Sequence, residues 1–156
     1  MQTLKIIAVI VFGFLLTSSV CQARLGETMD QCIARYGKPP PLPDGVSLPP
    51  DSGFDSEAVF YKDGITIIAF FSNGVVVAEG ILKRDQSAMS DTEKQTLLNS
   101  ESAGSTWQIT NETNAGVIYK RADDNAFATY DYAKYEFLFY AKKAWDELLA
   151  RQARSQ

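Results

Sequence analysis

Asp63-Gly64-Ile65-Thr66-Ile67-Ile68-Ala69-Phe70-Phe71-Ser72-Asn73-Gly74 is the stretch that decides the fold. Asp-Gly and Asn-Gly are the strongest short hairpin signals, because a two-residue type I′ turn needs positive φ at both central positions. They frame a run of β-branched and aromatic residues, so the spacing predicts an antiparallel meander over Glu57–Lys62, Ile65–Phe71 and Val75–Lys83. The middle strand is apolar on both faces. Each side of the sheet should therefore be covered by helix, loop or partner.

Upstream, Thr28-Met29-Asp30-Gln31 reads as a capping box that opens a helix. Gly37 and Pro39 should close it. Within it Met29, Cys32, Ile33 and Tyr36 share one face, which makes Cys32 a buried and inert thiol. All six prolines fall between Pro39 and Pro50. The segment from Lys38 to Phe54 reads as a stiff surface connector, with Pro40 and Pro43 in a PxxP spacing that recognition grooves accept.

Further upstream, Lys5 followed by the apolar Ile6–Leu16 and then Cys21-Gln22-Ala23 has the form of a secretory signal peptide cut after Ala23. The apolar run is shorter than the roughly 20 residues a spanning helix needs, and no later window approaches that length. The residues before Cys21 fit a lipoprotein cleavage site poorly, which makes anchoring at Cys21 the minor reading. Cleavage after Ala23 would leave 133 residues as a single domain (24–156) in a secreted or periplasmic setting. It would take the net charge from −4 to −5, since Lys5 is the only charge removed.

Downstream, a second capping box, Ser90-Asp91-Thr92-Glu93, opens a helix fading near Asn99. Strand signals resume at Trp107–Thr110, Val117–Lys120, Ala126–Tyr132 and Tyr135–Ala141, and a last helix, 142–152, places Trp145, Leu148 and Leu149 on one face. The two halves echo each other. Thr28 and Ser90, Tyr61-Lys62 and Tyr119-Lys120, and Ile65 and Ala126 all stand about 60 residues apart. The reading is an α+β domain built from two possible helix-plus-meander repeats, 24–85 and 86–141, with a C-terminal helix.

Composition excludes more chemistry than it proposes. The chain has no histidine, so Ser-His-Asp and Cys-His nucleophiles, His-ligated zinc and an imidazole proton shuttle cannot be assembled. It has no P-loop, dinucleotide fingerprint or CxxC pair. No cofactor and no metal site is therefore expected. The acidic balance and scattered cations argue against nucleic acid. Paired carboxylates remain possible, but Asp30, Asp91, Glu93, Asp63, Asp123, Asp124, Asp146 and Glu147 sit at helix starts, turns and exposed helix faces. Asp123-Asp124-Asn125 reads as a hairpin turn rather than a calcium loop, and Asn111-Glu112-Thr113 spells a glycosylation sequon relevant only to a eukaryotic source. Tyr135, Phe137 and Phe139 alternate onto one sheet face as core. Tyr130, Tyr132 and Tyr140 either lie under the C-terminal helix or form a tyrosine-rich interaction surface.

The run Leu25-Gly26-Glu27-Thr28-Met29-Asp30-Gln31-Cys32, continued through Tyr36-Gly37-Lys38-Pro39, resembles the helix-opening motif of two small exported groups. These are the SmpA/OmlA outer-membrane assembly lipoproteins and the β-lactamase inhibitor proteins. The similarity covers the first half of the mature chain, to about Leu82. Short secreted bacterial proteins beginning Arg-x-Gly-Glu-Thr, here Arg24 to Thr28, are also similar. The lipid-bearing cysteine of the first group has only Cys21 to match it, in a poor context, and the disulfides of the second cannot be made by Cys32 alone, the single cysteine left after cleavage at Ala23. The resemblance implies a non-catalytic binding or assembly fold. The expected function is thus an exported module that binds another protein. A carboxylate-dependent hydrolase and a binder of small apolar ligands are the alternatives.

Overall fold

The computed structural model describes residues 25–41 and 52–154; the leader, Arg24 and Pro43 lie outside them. The elements are α1 (Met29–Tyr36), β1 (Ser56–Lys62), β2 (Ile65–Ser72), β3 (Val75–Lys83), α2 (Asp91–Ser100), β4 (Trp107–Thr113), β5 (Gly116–Arg121), β6 (Ala126–Asp131), β7 (Glu136–Ala141) and α3 (Lys142–Arg154). All seven strands form one antiparallel sheet in the order β1-β2-β3-β7-β6-β5-β4. This is the α+β class expected from the sequence. Each meander keeps its own hairpins, and the two halves join where β3 pairs with β7, setting Glu79 opposite Phe139 and Ile81 opposite Phe137.

The deciding stretch folds for the reason it was chosen. Asp63 and Gly64 have φ of 50° and 79°, and Asn73 and Gly74 have 52° and 79°, the left-handed pair a type I′ turn requires. Both capping boxes also form. The Thr28 hydroxyl accepts the Gln31 amide while the Gln31 side chain accepts the Thr28 amide, and Ser90 and Glu93 repeat the exchange. Each box satisfies amides that would otherwise be orphaned, at about 1 kcal/mol per cap.

One face of the sheet carries the main core. Phe60, Ile67, Ala69, Phe71, Val76, Ile81, Phe137, Phe139, Ala128, Tyr130 and Val117 pack there with Cys32 and Tyr36 of α1, Leu98 of α2 and Met89. The opposite face receives α3, whose Trp145 stacks on Phe127 at 5.1 Å between centroids and leans on Tyr140 at 5.5 Å. Phe54 lies over Phe70 at 5.0 Å. The middle strand is therefore covered on both sides: Ile67, Ala69 and Phe71 are buried and Ile68 and Phe70 half-buried. Gly116 is required by a close approach, since a Cβ there would lie 2.3 Å from the Tyr130 carbonyl oxygen.

Three expectations are corrected. Tyr135 is not core. Asp131 Oδ1 accepts the amides of Ala133 and Lys134, and the tight turn ends on Tyr135 at φ 54°, outside the strand alternation and exposed. Leu149 is exposed as well, because the inward stripe of α3 runs through Ala144, Trp145 and Leu148. Strand β4 extends past Thr110 to Thr113, because a bulge between Ile109 and Asn111 absorbs one residue and pairing then resumes.

Candidate functional site

Three carboxylates converge inside the core where the two halves meet. Each is placed by a different element. The segment ahead of α1 is stitched to the start of β3: Gly26 N donates to Val76 O at 2.7 Å, Val76 N donates to Glu27 O at 2.8 Å, and Thr28 bridges Val75. Glu27 is thereby buried, where its two carboxylate oxygens accept from Nε and Nη2 on one edge of the Arg35 guanidinium as a bidentate ion pair. Glu101 caps the C-terminus of α2 and is 3% exposed; its Oε2 accepts the Leu25 amide at 3.2 Å. Glu79 stands mid-strand on β3 between Ala69 and Phe139, only 1% exposed. Its Oε2 has no hydrogen-bond partner among the described residues. Among the described residues, two cations border the group. Arg35 serves Glu27, and Arg121 divides itself between Asp123 Oδ1 at 2.9 Å and the Glu101 carbonyl at 2.8 Å.

Burial holds the Glu79 carboxyl well above the ordinary glutamate range, with the Glu101 and Glu27 charges adding to the effect and Arg35 only partly opposing it. The neutral acid is favoured because an ion there would lose its hydration without a full set of donors. The same surroundings act on Cys32: burial first, then Glu27 and Glu79, push its thiol up to about 12. Asp123 goes the other way, to about 2, held down by hydrogen bonds from Arg121 and the Asn125 amide. It is a turn residue, as its sequence position indicates.

These three glutamates are absent from the acids singled out by position in the sequence. A signal was present. Glu79 interrupts Val75-Val76-Val77-Ala78 and Gly80-Ile81-Leu82, and its parity puts it on the core face with Ile81. Glu27 and Glu101 carry no such mark, since a residue beside a cap and one just past a helix normally face solvent.

Two hollows flank the cluster. One, of about 560 Å³, is lined by Leu25, Gly26, Val75–Val77, the Asn99–Gly104 turn, Arg121, Asn125 and Ala141. The other, of about 440 Å³, is lined by Glu27, Gln31, Ala34, Arg35 and Lys62. Glu101 borders the first and Glu27 the second; Glu79 borders neither. Two carboxylates with one raised pKa are what an acid-base hydrolase needs, yet here the shifted one lies in dry core, outside the cleft. Among the described residues no group of acids and cysteines is arranged to hold a metal ion, and no helix is long and apolar enough to cross a membrane.

The tyrosines and prolines singled out from sequence do not form one patch. Tyr130 is buried on the α1/α2 face opposite Phe137, and Tyr140 is half-buried against Trp145 beneath α3. Tyr132 is half-buried on the same face as Tyr130, and its hydroxyl donates to Glu112 Oε1 at 3.2 Å. Pro40 is exposed after α1, far along the chain from the tyrosines, and Pro43 lies outside the described residues. The most open surface is β4. Every residue from Gln108 to Thr113 is exposed, Ile109 by 57%, and among the described residues only β5 pairs with it. The opposite edge is less bare, because Lys62 of β1 donates to the Arg35 carbonyl of α1 at 2.8 Å.

No family model matches the chain, and neither a curated protein nor a solved structure matches it.

Proposed function

We propose that this chain is an exported, non-catalytic module that binds another protein by taking an extended segment of it onto the β4 edge. The carrying observation is the openness of that strand. A sheet edge presents unpaired amides and carbonyls to any chain in the β conformation, and proteins usually blunt it with lysine, proline or a covering element. Gln-Ile-Thr-Asn-Glu-Thr has no lysine and no proline; its one defence is the bulge after Ile109. The apolar Ile109 side chain and the Glu112–Tyr132 pair supply side-chain discrimination beside the backbone ladder. The resemblance of the helix-opening run Leu25–Cys32 to that of exported binding proteins agrees with this reading, as does a sequence without histidine.

The other readings draw less support. A hydrolase needs its acids at a substrate, and Glu79 borders neither of the two hollows beside the cluster. A small apolar ligand in the 560 Å³ hollow would leave Arg121, Asn99 and Asn125 facing hydrocarbon, at the cost of desolvating polar groups without partners.

The test is paired. Wild-type chain and Ile109→Lys, which places a charge on the edge, are presented to native extract. A partner held by the wild type and bound at least tenfold more weakly by the variant is expected. A partner held equally by both, or none in repeated preparations, overturns the assignment.

A further inference from the structure

We infer that the segment taken up by β4 runs antiparallel to it and reads arginine, a polar residue, then a β-branched apolar residue, with the arginine seated on Glu112 and Tyr132 and the apolar side chain on Ile109. This rests on the edge-binding reading above and adds to it the chemistry of the partner.

The two faces of β4 differ. Gln108 stands opposite Lys120 and Asn111 opposite Ile118 on the face that receives α3, whereas Ile109 stands opposite Tyr119 and Glu112 opposite Val117 on the core face. Strict alternation would send Ile109 and Glu112 to opposite faces, since they are three residues apart. The bulge between Ile109 and Asn111 changes the parity and returns both to one face, where β5 meets them with Tyr119 and Val117, two residues apart. A regular strand laid along the free side answers them with its own residues i and i+2, roughly 7 Å apart.

The charge on this ledge is one-sided. Glu112, Asp91 and Lys94 are the charged groups that act on Tyr119 and Tyr132. Lys94 is answered by Asp91 at 2.8 Å. Glu112 accepts the Tyr132 hydroxyl on Oε1 at 3.2 Å, and among the described residues no lysine or arginine pairs with it. The tyrosine thus positions an exposed carboxylate that has no cation, beside an aromatic ring. Arginine suits both, because its planar guanidinium forks onto carboxylate oxygens and lies against an aromatic face. Ile109, 57% exposed next to the half-buried Tyr119, offers apolar area that a β-branched side chain from the partner removes from water. The residue between the two turns to the side of Gln108 and Asn111 and stays polar.

Direction follows from the sheet. Every pairing in it is antiparallel, and an antiparallel neighbour gains slightly more per residue than a parallel one. With that polarity the residue that meets Glu112 precedes the one that meets Ile109. The order is therefore basic, polar, apolar.

Three terminally blocked peptides test the inference: Thr-Thr-Arg-Thr-Val-Thr-Thr, the reversed order Thr-Thr-Val-Thr-Arg-Thr-Thr, and Thr-Thr-Glu-Thr-Val-Thr-Thr. Each is titrated into the isotopically labelled protein while the amide resonances of Gln108–Thr113 are followed. The arginine-first peptide should bind at least about fivefold more tightly than the glutamate peptide, and more tightly than the reversed one. Added salt should narrow the first gap. In Glu112→Gln, a substitution at an exposed position, the arginine and glutamate peptides should bind alike. Equal binding of these two to the wild type, a reversed peptide that binds as tightly as the first, or a preference for arginine that survives Glu112→Gln overturns the inference and leaves the edge reading standing. If the β4 amides move with none of the peptides, that reading falls as well.

Discussion

The hydroxyl of Tyr130 accepts the backbone amide of Met89 at 3.1 Å inside the core, tying β6 to the segment that leads into α2. A tyrosine for which the sequence left burial under the C-terminal helix and an interaction surface both open is an internal strut on the face away from that helix. Its ring packs on Phe137 at 5.2 Å, and Lys94 of α2 lies 5.0 Å over its face.

Tyr130→Phe keeps the ring and removes the acceptor, leaving a buried amide unsatisfied. Unfolding free energy should fall by about 1–3 kcal/mol in urea titrations, with no change in partner capture. Weakened capture at unchanged stability would return Tyr130 to the interaction surface.

Glu79 makes stability depend on pH in a direction opposite to that of a salt-bridged acid. Its carboxyl ionises in the unfolded chain near the ordinary 4.5 but only well above that when folded. The unfolded state therefore releases a proton that the native state keeps. Stability is greatest below the unfolded value and declines as pH rises toward the folded one, by at most about 1.4 kcal/mol per pH unit for one proton. Glu79→Gln, which cannot ionise, should flatten the profile and exceed the wild type at pH 8. Isothermal denaturation at pH 5, 6.5 and 8 measures both. A profile unchanged by Glu79→Gln assigns the slope to other groups.

Local signals made most of the fold legible. Positive-φ dipeptides, two capping boxes and strand periodicity act over a few residues, and each leaves its mark in those residues. What lay between elements did not. The β3–β7 seam is a pairing of residues about 60 positions apart, and no local pattern names the partner of a strand. The site suffered most from this. Glu79 was readable as a charge on a core-facing position, but Glu27 and Glu101 become buried only when the Leu25–Thr28 segment and the end of α2 meet across the seam. The sequence grouped Tyr130 with Tyr140, either under the C-terminal helix or on an interaction surface, whereas the β6–β7 register sends them to opposite faces.

Cys32 should report unfolding rather than redox state. Its thiol is 2% exposed and pushed up to about 12 by burial and by Glu27 and Glu79, so at pH 8 almost none is thiolate, the reactive form. Iodoacetamide should label the native chain at the rate at which it opens and the urea-unfolded chain at the rate of a free peptide thiol. Labelling of native protein at the peptide rate would place Cys32 on an accessible surface.

Helix α3 depends on one side chain. Of its inward residues Ala144 is small and Leu148 half-buried, whereas Trp145 stacks nearly parallel to Phe127, at 8° and 5.1 Å, and also meets Tyr140. The ion pairs Lys142–Asp146 and Lys143–Glu147 lie on the helix's own exposed surface and contribute little to docking. Removing the indole by Trp145→Ala takes away the largest apolar contact between α3 and the sheet. Full burial would make this about 3–5 kcal/mol; for a half-buried ring roughly 2–3 kcal/mol is expected. A 13-residue helix without its packing face is marginal in water, so the loss should appear as fraying of α3 ahead of global unfolding. Hydrogen exchange of the Ala144–Arg151 amides is the direct measurement. These amides should exchange faster in Trp145→Ala while the β2 and β6 amides keep their protection. Uniform acceleration across the sheet would show that α3 and the sheet form a single cooperative unit.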